Sequence, residues 1–176
     1  MSWFGPQAEK MYPPARLMPD FALSEMAKTL EANGIKEARV VKLAPAAEGF
    51  ALQITESDTA PRRYFSLRTR SEMPGYDERQ ARWLASYYTG RSVDTVASVN
   101  FQTAFSSEYP PVNRLLPVYR VRFAGDDQLT AFVHTETAAL AGLNNRSKAA
   151  MQSVFLQLHT WAWLDVAGHG RVLLVA

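Results

Sequence analysis

The sequence predicts an α+β fold built from two similar units, each a helix packed on a three-stranded antiparallel meander, followed by a C-terminal amphipathic helix. Three observations support this fold class. The chain has 176 residues, 47% hydrophobic and 20% charged, so it can bury a core. One order of elements, a helix followed by three strand-like runs, occurs twice. The connections between these runs are too short for parallel crossovers, which favours antiparallel pairing.

The first predicted unit covers residues 21–76. Residues 1–20 precede it and contain four prolines, which disfavour a helix, so they are predicted to form an extended lead. Apolar residues then recur at helical spacing, with Asp20 as the expected N-cap and Gly34 as the stop. Three strand-like runs follow, namely "ARVVKLA" (38–44), "GFALQIT" (49–55) and "RRYFSLR" (62–68).

The second predicted unit covers residues 77–145 and repeats this order. Its helix is predicted over residues 77–89, with Asp77 where a cap belongs and Gly90 at the end. A first strand is predicted over residues 97–105. Its apolar face would consist of Val99, Phe101, Thr103 and Phe105. The stretch 116–143 then predicts a hairpin of two strands, whose turn contains Asp126 and Asp127.

The C-terminal part carries a third helical pattern. Residues 146–165 are predicted to form an exit helix, which has apolar residues on more than one side. Residues 166–176 end in "VLLVA", which is too short to span about 30 Å of hydrocarbon. We therefore expect residues 166–176 to be the start of a truncated transmembrane segment.

Charge and composition exclude several function classes. The formal net charge is only +2, which argues against a nucleic-acid partner, and the chain has no cysteine, which removes disulfides and thiolate chemistry. Seven arginines fall within residues 62–91, where they could meet an anionic ligand, a phospholipid headgroup or an acidic partner. An ordinary solvated strand and helix face is the simpler interpretation of that window.

Sequence motifs for catalysis or metal binding are lacking. His134, His159 and His169 are separated by 25 and 10 residues, which matches no metal-ligand template, so no metal site is predicted. No nucleophile or paired-carboxylate motif occurs, and no catalytic residue is predicted. His159 lies beside tryptophans on the exit helix and could serve as a haem ligand or as an interfacial anchor.

The predicted hairpin supplies the candidate ligand-binding residues. In "VYRVRF", aromatic and aliphatic residues alternate with Arg120 and Arg122, so one face should enter the core while both arginines point outward. Two guanidinium groups about 7 Å apart could hold one carboxylate-bearing or phosphate-bearing ligand. Polar residues on the wet face of a sheet are the simpler interpretation. His134, in the second strand of the hairpin, is the third candidate.

Two segments resemble a known family. "EYPPVNRLLPVYRVRF" (108–123) and "FLQLHTWAWLD" (155–165) are similar to the strand region and the exit helix of the PepSY domain. The order of elements resembles the tandem PepSY region of PepSY-associated transmembrane proteins, also called iron-regulated membrane proteins. The chain departs from the family at its acidic turn, because "HTETAAL" has His134 at the Asp position and alanines for Gly and Glu. The first copy keeps only Glu72 there.

The resemblance implies an α+β module on the periplasmic side of the inner membrane, joined to its own flanking transmembrane helices. It implies a non-catalytic binding or regulatory role linked to iron or siderophore uptake. Two alternatives remain open: a part of an inner-membrane ferric-siderophore reductase, or a peptidase-inhibitory module, with a siderophore or a peptidase as the respective partner. It implies no cofactor in the isolated domain, whereas the full-length protein could bind haem through His159.

Overall fold

The protein, in a computed structural model that describes residues 19–46 and 49–145, contains two α-helices and two antiparallel sheets of three and four strands. The elements of the first sheet and its preceding helix are α1 (Pro19–Ala32), β1 (Val40–Ala46), β2 (Gly49–Thr55) and β3 (Arg63–Ser66). The remaining elements are α2 (Tyr76–Thr89), β4 (Val96–Gln102), β5 (Val118–Phe123), β6 (Thr130–His134) and β7 (Ala139–Asn144).

The first sheet has the strand order β1-β2-β3 and is covered on both faces. Because side chains alternate along a strand, Leu52 and Ile54 of β2 face one side and pack with Met26 and Leu30 of α1. Gln53 points to the opposite side, toward the second half of the chain. Every residue from Ala51 to Thr55 is buried, so β2 is the centre of this half of the molecule.

The second sheet has the order β4-β5-β6-β7 and packs one face on α2. Its core is formed where small and branched residues of α2 meet the inward residues of β5 and β6. These core residues include Ala81, Leu84, Ala85, Tyr119, Val121, Phe123, Ala131 and Val133. The predicted inward face of "VYRVRF" is therefore confirmed, with Arg120 and Arg122 on the opposite face of the sheet.

That opposite face is partly covered by the segment between β4 and β5. Tyr109 is fully buried there, and its ring stacks on Phe132 of β6 at a centroid distance of 4.6 Å. Gly142 of β7 leaves room for this ring, because a Cβ at that position would lie 3.3 Å from Tyr109 Cε2. The Tyr109 hydroxyl donates to the Leu115 carbonyl at 2.8 Å, which closes the segment on itself.

The structure corrects four predictions. Asp20 lies within α1 rather than at its N-cap, so the predicted extended lead does not reach residue 20. The stretch 116–143 contains three strands rather than two, because residues Thr135–Ala138 form a turn that separates β6 from β7. Asp77 is not the N-cap of α2; Gly75, with φ of 68°, holds that position and Asp77 lies in the first turn. The strand predicted over 97–105 ends at Gln102, and Phe105 lies beyond it.

Other predictions are confirmed or lie outside the described residues. Gly90 ends α2 in the left-handed conformation, as expected, and its N–H bonds to the Ser86 carbonyl. The extended lead as far as residue 18, the exit helix from residue 146 and the segment 166–176 lie outside the described residues. Within the part of the chain that is described, no helix is long and apolar enough to cross a membrane.

Candidate functional site: a buried arginine–histidine cluster and an arginine pair

A buried polar cluster joins the two sheets and contains several ionisable groups whose pKa values are shifted by burial. Arg62, the residue before β3, is 3% exposed and His134, at the end of β6, is 6% exposed. Arg62 Nη2 lies 2.9 Å from His134 Nε2, and Arg62 Nη1 donates to the Pro117 carbonyl at 3.3 Å. The Arg62 side chain thus contacts both the segment before β5, at Pro117, and the end of β6, at His134.

The contact with Arg62 fixes the protonation state of His134. A guanidinium group can only donate hydrogen bonds, so His134 Nε2 must be the acceptor. The proton of the neutral ring then lies on Nδ1, which is 2.8 Å from Thr137 Oγ1 and donates to it. Burial, and secondly the charge of Arg62, lower the pKa of His134 from 6.5 to about 4. His134 is therefore neutral at physiological pH.

Carboxylates of the cluster approach Arg62 from two sides. Asp77 Oδ2 accepts the backbone N–H of Arg62 at 2.9 Å. The Glu136 carboxylate lies 3.8 Å from Arg62 Nε and accepts the Thr55 hydroxyl at 2.7 Å. Lys42 of β1 lies opposite Gln53 in the strand register. Burial lowers the pKa of Lys42, and the charge of Glu136 opposes that effect. The turn between β6 and β7 is therefore bound to the first sheet through charge.

Asp77 is the most deeply buried carboxyl group of the cluster. Thr135 and Tyr119 lie against it, yet Oδ1 accepts no hydrogen bond of good geometry. Burial raises the pKa of Asp77, although Thr135, the Arg62 N–H and the Arg62 charge favour its ionised form. Burial, followed by the charge of Asp77, also raises the pKa of Tyr119. The phenol therefore stays protonated.

A glutamine extends the cluster along β2. Gln53 Nε2 donates to the Tyr64 hydroxyl and to the Thr135 carbonyl, the latter at 3.3 Å. Burial raises the pKa of Tyr64 well above its usual value. Arg62, His134 and Glu136 are thus held by neighbours inside the protein, whereas Asp77 Oδ1 accepts no hydrogen bond. This arrangement orients the two sheets.

The second candidate site is the pair Arg120 and Arg122 on the outer face of β5. Both side chains are partly exposed, as the alternation predicted. In the strand register, Arg120 lies opposite Asn100 and Arg122 opposite Ser98, both on β4. The structure brings these two arginines together, whereas it commits His134, the third predicted residue, to Arg62 and Thr137. His159 lies outside the described residues.

The arginine-rich window 62–91 does not form one surface. Arg63 bonds to both Glu56 and Glu72, with distances of 2.7–2.9 Å, so the one acidic-turn residue kept in the first copy serves an internal ion pair. The other internal contacts join Arg70 to Glu25, Arg82 to Glu78, Arg91 to Asp127, and the Arg79 guanidinium to the Tyr76 ring. The local excess of arginine is therefore largely neutralised by neighbouring carboxylates.

Sequence reasoning missed Arg62, Glu136 and Lys42 as members of a site. Arg62 was one of seven arginines in a window, and nothing in its neighbours distinguishes it from the exposed Arg63. The available signal was the run of buried residues at 51–55, which includes the polar Gln53 and Thr55 and requires polar partners from elsewhere.

Comparison with known proteins adds no assignment. No protein-family model matches this chain, and neither does any curated protein or solved structure. Among the described residues, no group of three or more His, Asp or Glu side chains could hold a metal ion.

Proposed function

We propose that this chain is a non-catalytic binding domain of a PepSY-type polytopic membrane protein, on the periplasmic side of the inner membrane, with a role in iron or siderophore uptake. The observation that carries this proposal is how the ionisable groups are divided between interior and surface. Arg62 contacts both His134 and Asp77 inside the protein, whereas Arg120 and Arg122 lie partly exposed on a sheet face.

Binding rather than catalysis fits this division because a catalytic group must reach its substrate. His134 has one ring nitrogen facing Arg62 and the other facing Thr137, so it can accept no further proton without losing a contact. Arg120 and Arg122 present positive charge on a sheet face whose strand neighbours Ser98 and Asn100 are neutral. Such a surface is suited to an anionic ligand.

A titration tests the proposed binding role. The purified chain would be titrated with ferric siderophores that bear carboxylates, with tryptophan fluorescence and calorimetry as readouts. Arg122→Gln should weaken binding by about tenfold or more, since a charged hydrogen bond contributes about 1.5–3 kcal/mol. Arg82→Gln is the control, because Arg82 is another partly exposed arginine that pairs with a glutamate. Equal affinity in all three proteins would contradict a role for the arginine pair.

The proposed location needs a separate experiment. Alkaline phosphatase folds only outside the cytoplasm because it requires disulfides. A fusion after Asn145 in the native reading frame should therefore be active in a bacterial host, while a fusion of a cytoplasmic reporter at the same position should be inactive. The reverse pattern would rule out the periplasmic assignment.

A further inference from the structure

The two arginines of the outer face differ in their partners. Arg120 Nη2 lies 2.5 Å from Glu108 Oε2. Arg122 has no ion pair or hydrogen bond with any described residue, and its Nε is buried without an acceptor. One guanidinium of the pair is thus occupied by a carboxylate from the protein itself, and its neighbour has none.

The backbone of Glu108 is held in place independently of its carboxylate. Asn144 Nδ2, from β7, donates to the Glu108 carbonyl. The next residue, Tyr109, is buried against Phe132, and its N–H donates to the Ser106 carbonyl at 3.1 Å. The Glu108 side chain itself is 50% exposed, with Arg120 as its ion-pair partner. Rotation of this side chain into solvent would therefore break one partly exposed ion pair and leave the segment anchored.

We propose that Glu108 is an internal competitor of the ligand: in the free protein its carboxylate holds the position that one carboxylate of a polycarboxylate ligand takes at Arg120. On binding, the ligand displaces Glu108 and bridges Arg120 and Arg122. This inference rests on the proposed binding role of the arginine pair and specifies both its ligand class and its regulation.

The surroundings of the pair favour a ligand with several carboxylates. The two arginines are two residues apart on one strand face, with backbone positions about 7 Å apart, so two linked carboxylates can each pair with one guanidinium group. Linked groups also bind with a higher effective concentration than separate ones, which lets such a ligand compete with a tethered glutamate. The neighbouring positions on β4 are Ser98 and Asn100, which are at least partly exposed and add neutral hydrogen-bonding groups.

Calorimetry with citrate on charge-matched variants tests this inference. Glu108→Gln should bind citrate about fivefold more tightly than the unmodified chain, because an exposed ion pair no longer has to break. Glu78→Gln is the matched control: Glu78 also forms a 2.7 Å pair with an arginine, is 48% exposed and changes the net charge equally. Its citrate affinity should stay unchanged. Arg122→Gln should weaken citrate binding by about tenfold, and acetate should bind to none of these proteins measurably.

The outcomes separate this inference from the proposed function. Citrate binding that depends on Arg122 but is not tightened by Glu108→Gln would overturn the competitor role alone. Equal tightening in Glu108→Gln and Glu78→Gln would overturn it too, because net charge would then be the cause. Binding of pyrophosphate without binding of citrate would overturn the ligand class. If neither anion binds to the chain or to Glu108→Gln, the arginine pair is not a ligand site and the proposed binding role fails with it.

Discussion

Acidification should weaken the contact between the two sheets through His134. The pKa of His134 is about 4 in the folded protein and 6.5 as its ordinary value, so the unfolded chain takes up this proton first as the pH falls. The stabilisation from His134 is therefore complete above pH 6.5 and is lost progressively between pH 6.5 and pH 4. The loss has two physical sources: a protonated ring would be a charge buried away from water, and its second N–H donor would face the Arg62 guanidinium.

The size of the effect follows from the two pKa values. They differ by about 2.5, and one pKa unit corresponds to about 1.4 kcal/mol, which gives an upper bound of about 3.4 kcal/mol. We expect about 2 kcal/mol between about pH 7.5 and pH 4.5, because the proton transfer is incomplete at pH 4.5 and the partly exposed Glu136 beside Arg62 admits some solvent screening.

Urea denaturation of the chain and of His134→Gln over this pH range measures the effect. Glutamine offers Arg62 an acceptor near the position of Nε2 and does not titrate. Asp77, whose pKa is raised by burial, works in the opposite direction as the pH falls, but it is present in both proteins and cancels in the difference. As the pH falls from about 7.5 to about 4.5, the chain should lose about 2 kcal/mol more free energy of unfolding than His134→Gln does. Parallel pH profiles would refute the proposed state of His134.

Three further changes test the packing. Arg62→Met should destabilise the fold by about 3–5 kcal/mol in urea, because His134 Nε2 and the Pro117 carbonyl lose their buried donor. Arg63→Gln should cost about 1 kcal/mol or less, and equal losses would refute the buried role of Arg62. Tyr109→Ala should lower the free energy of unfolding by about 3–5 kcal/mol and expose the segment before β5 to proteolysis. Tyr109→Phe should keep the segment protected. Unchanged cleavage of the Ala variant would contradict the role of Tyr109 in anchoring the segment. Gly75→Ala should cost about 1 kcal/mol because φ is 68°, so a neutral result in thermal unfolding would argue against the left-handed cap.

Local patterns predicted most of the elements because their causes are local. The run "GFALQIT" coincides with β2, and the alternation in "VYRVRF" gave the correct inward face of β5. Gly90 ends α2 because glycine adopts the left-handed conformation at little cost. Each of these features depends on residues within one turn or one strand, so the sequence contains the necessary information.

The turn between β6 and β7 shows where local patterns fail. The local pattern over residues 116–143 predicts two strands, and only the family resemblance indicates a turn in "HTETAAL". The chain instead turns at Thr135–Ala138, with Ala138 at φ of 52°, an angle that alanine rarely adopts. The gain comes from distant partners, since Thr135 and Glu136 contact Gln53, Thr55 and Arg62 of the first sheet.

The sequence by itself determined the α+β composition, the ends of the central elements and the outward direction of Arg120 and Arg122, because periodicity and turn residues act over a few positions. Only the tertiary structure decided which of the many charged residues are buried together. Asp77 looked like a helix cap and Arg62 like a surface residue, but both lie where the two sheets meet. The energy of a buried charge depends on partners that are far away in the chain, and a local sequence pattern does not show which distant residues will be those partners.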